Sequence, residues 1–160
     1  MSYQWPIAVV LHQLGTLIWI GGMFFAHLAL RPAANKLLDP PGRLRLMLAV
    51  FHRFFVWVWV AIAMLWVSGY WIFVGLYGGR AGMHVHAMMG IAAVMTGIFA
   101  FIWFLPYKRM KAAVDAEDWS VAGARLGLIR KLIVTNLLLG LLTAILGSAG
   151  PGLLAAVASS

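Results

Sequence analysis

The sequence predicts an all-α fold, a four-helix transmembrane bundle, and three observations predict it. Apolar residues make up 64% of the 160 residues and charged residues only 10%, and mean hydropathy is +0.94, outside the range of an ordinary soluble domain. Apolar segments at about 7–30, 49–74, 83–105 and 132–147 are separated by charged or Pro/Gly-rich stretches; most reach the roughly 20 residues that a helix needs to cross about 30 Å of hydrocarbon. The basic residues are unevenly placed: every Lys and Arg except Arg80 lies in or beside the first and third connections. By the positive-inside rule those connections are cytoplasmic, so both termini and the Tyr77–Gly82 turn face outside.

The first span, Ile7 to Leu30, reads IAVVLHQLGTLIWIGGMFFAHLAL and holds no acidic or basic residue except His12 and His27. It is too long for a signal peptide and lacks a basic leader, so it reads as a retained helix. Arg31 and Pro32 are expected to end it, because proline cannot continue the hydrogen-bond ladder. Asp39-Pro40-Pro41-Gly42 then supplies a turn. The second span opens near His52 and Arg53, or as an interfacial turn from Leu44, and ends among Trp66, Tyr70, Trp71 and Tyr77, as membrane interfaces do. The third runs from Met83 to Leu105 and is expected to stop at Pro106-Tyr107. The stretch 112–129 reads as a cytoplasmic interfacial helix or an inward extension. The fourth, short span stops at Ser148-Ala149-Gly150-Pro151. The apolar spans read as one domain covering 1–160. Lipid is the expected partner. The net charge of +8 has its explanation in topology, so no nucleic acid is expected.

The five histidines carry the chemistry, because ionisable groups inside apolar spans are costly without a use. By depth they fall into two layers, His12 with His84 or His86 on the outer side and His27 with His52 on the inner. At about 100° and 1.5 Å per residue, His12 and His27 lie about 60° apart around the first helix and about 22 Å apart along it, on nearly one stripe with Trp19 and Met23. His84 and His86 lie about 200° apart, so only one can face the core. His86 shares a face with Gly90 and Gly97 and is expected inward, leaving His84 to the turn.

Facing imidazoles with small residues beside them suit a b-type haem. The expected ligands are His12 with His86 and His27 with His52, giving one or two haems per chain. Trp19, Gly90 and Gly97 would supply walls and clearance, and Arg31, Arg53 and Arg80 would pair with propionates. With no cysteine, any haem would be non-covalent. The expected function is electron transfer to or from quinone or a small oxidant, a haem-dependent membrane oxidoreductase activity. Met83, His84, His86, Met88 and Met89 form the alternative, a copper site, since thioethers select Cu(I) and imidazole suits either valence. Absence of acidic residues from the spans argues against a carboxylate proton relay or a hard-cation site. Histidines that merely join helices in a structural assembly partner, or in a homo-oligomer, are the non-catalytic reading.

Two families share these features. LHQLGTLIWIGGMFFAHLALRPA (Leu11–Ala33) and HRFFVWVWVAIAMLWVSGYW (His52–Trp71) resemble the first two helices of the copper-resistance D-like (CopD) membrane domain. Their shared features are a histidine, a tryptophan, a Gly-Gly pair and R-P in the first helix, then R-F and a Ser/Thr-Gly in the second. The resemblance spans roughly Leu11 to Leu146 and implies copper transport or tolerance at the bacterial inner membrane. The first helix is also similar to that of the small haem-binding protoporphyrinogen oxidase, which implies a haem at His12. That family's third-helix lysine has no counterpart here; His86 stands nearest to that role.

Overall fold

The computed structural model describes residues 4–75, 77–80 and 82–158, with side chains described for 6–75, 77–80 and 82–149. Met1 to Tyr3, the side chain of Trp5 and the apolar side chains of the last residues lie outside this description. The chain forms four helices long and apolar enough to cross a membrane: α1 (Pro6–Leu37), α2 (Pro40–Gly75), α3 (Met83–Asp115) and α4 (Trp119–Ala158). It is an all-α, multi-pass bundle. We call the end carrying the first and third connections the basic end, and the other the neutral end.

Each helix outruns its predicted span, and prolines show why. Pro32 was expected to stop α1, yet the helix continues through it to Leu37. The preceding turn, Ala26–Leu30, is widened to π geometry. α1 has another wide turn, without a proline, at Leu17–Gly21, and in α3 the wide turn Trp103–Tyr107 contains Pro106 and carries the helix past its expected stop to Asp115. An extra residue in the turn accommodates a missing N–H and moves the preceding carbonyl away from the proline ring, which a regular turn cannot do. Gly150-Pro151 likewise lies within α4. The stretch 112–129 is therefore no separate helix. It is divided between the end of α3 and the start of α4 by the turn at 116–118, where Glu117 takes a left-handed conformation (φ 56°) and Asp118 Oδ1 accepts the Val121 N–H at 3.0 Å. At the neutral end, Gly78 and Gly79 turn the chain with φ of 57° and 75°, conformations that glycine adopts without steric cost.

The helices pack as two hairpins, α1 on α2 and α3 on α4, joined by α4 lying against both α1 and α2. Small residues set the closest approaches, as in membrane bundles generally. A Cβ on Gly15 would sit 2.9 Å from Leu65 Cγ and 3.1 Å from the Ala61 carbonyl oxygen, and one on Gly140 would sit 2.9 Å from Ile20. Towards the basic end Phe55 forms the centre of the core. It stacks on Phe51 (centroids 5.0 Å apart) and meets Phe99 and Tyr107 edge-on at 5.3 Å. Nearer the neutral end α2 and α3 are bridged by long side chains: Trp59 against Phe99, the Trp66 indole N–H donating to Thr96 Oγ1 at 3.2 Å, and Phe73 against His86. Leu17, Phe25, Val67, Leu138 and Ile145 face outward, as lipid-facing residues should.

Candidate metal-binding histidines

His12 is the best-defined of the candidate side chains. α1 delivers its half-buried ring to α2 at Ser68-Gly69, where the absence of a Cβ on Gly69 leaves the imidazole room: such an atom would lie 3.3 Å from His12 Cε1. Nδ1 lies 3.0 Å from Ser68 Oγ, and Ser68 is completely buried. The Ser68 hydroxyl proton goes to the Met64 carbonyl oxygen one turn back. Ser68 Oγ must then accept from His12 Nδ1–H, and this leaves the lone pair of His12 on Nε2. That is the tautomer that ligation through Nε2 needs, held by the kind of outer contact that orients ligating imidazoles. In the sequence Ser68-Gly69 stands only as the Ser/Thr-Gly pair of the second helix. The signal was there: a hydroxyl beside a glycine, one helix over from a membrane histidine.

The other candidate side chains at the neutral end all stand on α3, on more than one of its faces. His86, expected inward, is exposed and sets its ring edge-on to Phe73, 5.7 Å between centroids. His84, expected at the turn, is the more covered of the two: its ring packs on Gly82, 3.0 Å from where a Cβ would stand, and its Nδ1 is buried without a partner. Met88, one turn on from His84, packs against α4 at Gly147, whereas Met83 is 80% exposed and Met89 half-buried. Spaced i, i+4, His84 and Met88 share one face of α3. Gly90 and Gly97 are open, with nothing within 4 Å of a Cβ on either. They clear the outer surface of α3 rather than a space inside the bundle.

Towards the basic end the two expected inner partners line different recesses. His27 opens on a cavity between α1, α2 and α4 with Arg31, Arg43 and Arg130. His52 is exposed on the other side of α2, its Nδ1 3.2 Å from the hydroxyl of buried Tyr107, in a shallow recess with Arg45 and Lys111. The reason is angular: Phe51, the residue before His52, faces the first cavity, so His52 turns about 100° away from it. Arg53 and Arg80 are exposed, and Trp19 is core, its ring edge-on to Phe99 at 6.3 Å. Among the described residues no three of His, Asp and Glu come together as a metal cage, and no hydrogen bond or ring contact joins His12 to His86 or His27 to His52.

With this geometry in place, the comparison with known families is informative. The family model for Copper resistance protein D matches residues 48–149. The matched region covers most of α2, all of α3 and most of α4, whereas the resemblance read from the sequence is strongest in α1 and α2. The first-helix likeness to the haem-binding protoporphyrinogen oxidase finds no support in this match. Neither the curated proteins nor the solved structures include a match to this chain.

Proposed function

The chain belongs to the copper resistance protein D family, and from that premise we propose that it handles copper within the membrane, taking Cu(I) as cargo at its neutral end. The observation that carries the proposal is His12: an imidazole in an apolar span, locked by Ser68 with its Nε2 lone pair available. The family favours copper over other metals. At the same end of the bundle α3 carries further soft donors, the Met88 thioether and the His84 imidazole, its Nδ1 unpaired, on one face of that helix. Met83, His86 and Met89 stand on the same first turns and would receive the ion from outside. The basic end lies in the cytoplasm, so the donors face the outer side of the bacterial inner membrane.

The test is Cu(I) binding by the purified chain, read by competition with a chelator, followed by isotope accumulation in vesicles. His12→Ala and the double change His84→Ala with Met88→Leu are each expected to weaken binding at least tenfold and to slow accumulation. Wild-type affinity and accumulation in both variants would overturn the proposal. A second reading, a non-covalent haem b serving electron transfer with quinone or a small oxidant, draws on the same His12 geometry. Its donor set is one oriented imidazole, without the facing pairs expected from the sequence. A Soret band that sharpens on reduction and disappears in His12→Ala would favour haem; stoichiometric copper without a Soret band, even after haem is supplied, would favour copper.

A further inference from the structure

The cavity of about 270 Å³ at the basic end is unusual for what lines it: Arg31 from α1, Arg43 from α2, Arg130 from α4 and His27, with no carboxylate. Arg31 stands within electrostatic reach of both other guanidinium groups, and all three are half-buried. Like charges gathered in a partly covered recess repel, and an anion seated among them relieves that repulsion. This chain has four acidic residues, and they are occupied elsewhere. Glu117 pairs with Arg45 at 3.0 Å and Asp115 with Lys111 at 2.9 Å. Asp118 caps α4, and Asp39 turns its carboxylate to Gly42 at the start of α2. None of them lines the cavity.

The recess is also built to hold its cations in place. Arg43 Nη1 donates to Asn35 Oδ1 at 3.2 Å. Gly123 and Gly127 on α4 leave open space, with nothing within 4 Å of a Cβ on either. Deeper in, Met47, Phe51 and Ile133 give the cavity an apolar floor. Cationic forks above an apolar floor, at the level where the spans meet the basic connections, match a phosphate diester followed by acyl chain.

We propose that this cavity binds the phosphate of an anionic phospholipid, with Arg31, Arg43 and Arg130 as its ligands and His27 as a further N–H donor. The site is distinct from the copper-handling residues at the other end and does not depend on them. Free inorganic phosphate shares the chemistry, and the test separates the two sources.

The full chain in neutral detergent is titrated with short-chain phosphatidylglycerol, phosphatidylcholine of the same chain length and inorganic phosphate, with bound adducts counted by native mass spectrometry. Phosphatidylglycerol is expected to bind at least tenfold tighter than phosphatidylcholine. That preference should vanish in Arg31→Gln and Arg130→Gln and persist in the surface changes Lys36→Gln and Arg109→Gln. Gly127→Leu fills the cavity while leaving every charge in place, and should also abolish the preference; Arg31→Lys, which keeps the charge but not the fork, should weaken it. Helical content by circular dichroism, matching wild type, shows that these variants fold. Equal binding of the two lipids would overturn the proposal, as would equal losses in the surface and cavity variants. Displacement of phosphatidylglycerol by inorganic phosphate at equal concentration would overturn the lipid as the source.

Discussion

Two buried polar side chains, Ser68 and Asn136, give the sharpest predictions at the scale of single residues. Ser68→Ala removes the acceptor that holds His12 Nδ1–H. Loss of such an outer contact typically costs 10–100-fold in metal affinity, so Cu(I) affinity should fall by about that range while the protein remains folded. Chelator competition on the two proteins checks this. Asn136 is 1% exposed and donates Nδ2–H to the Met95 carbonyl at 3.1 Å, while its Oδ1 is buried without a partner. Asn136→Asp keeps the shape but replaces the donor with a carboxylate. An ionised group at mid-helix costs at least about 2.5 kcal/mol, and denaturant unfolding in detergent should show a destabilisation of that order. Asn136→Leu loses one interhelical hydrogen bond, about 0.6 kcal/mol on average, and removes the unpaired oxygen; it should stay within about 1 kcal/mol of wild type.

At the scale of elements, glycines with the same appearance in the sequence have opposite roles. Gly15 lies against backbone and Leu65 of α2, so Gly15→Ala should overpack the α1–α2 hairpin and cost about 1–3 kcal/mol. Gly97 faces open space, and Gly97→Ala should be neutral or slightly stabilising, because alanine is about 1 kcal/mol the better helix former. Thermal unfolding of the two variants side by side checks the contrast. The prolines carry the same lesson. Pro32 and Pro106 each read as a stop, yet each sits beside or within a wide turn that lets its helix continue. A π-type turn has no signature in composition, so the spans were found and their lengths were not.

On the scale of the whole molecule, charge and hairpin packing decide different things. The basic residues predict a cytoplasmic location for Arg45 and Glu117 and an outside location for the Gly78–Gly79 turn. Single cysteines can be introduced freely into this cysteine-free chain. Tyr77→Cys, beside the Gly78–Gly79 turn, should react with an impermeant maleimide in intact cells, and Glu117→Cys only after lysis. The reverse pattern would invert the topology and place the soft donors in the cytoplasm. The hairpin arrangement explains why the histidine layers did not become pairs. α2 presents Ser68-Gly69 to His12 and Phe73 to His86, and it separates His27 from His52 by turning them to opposite sides.

The sequence by itself determined the four apolar helices, because burial in lipid depends on composition over about 20 residues and not on any partner. It also determined the depth of each histidine, since depth along a helix is a count of residues. The tertiary structure alone decided azimuth and company: which face His86 presents, that Ser68 holds His12, and that arginines far apart in the chain line one cavity. Those facts depend on how three or four helices rotate against one another. That rotation is set by side-chain contacts such as Gly15 on Leu65 and Phe55 on Phe99, which link residues distant in sequence and leave no local pattern to read.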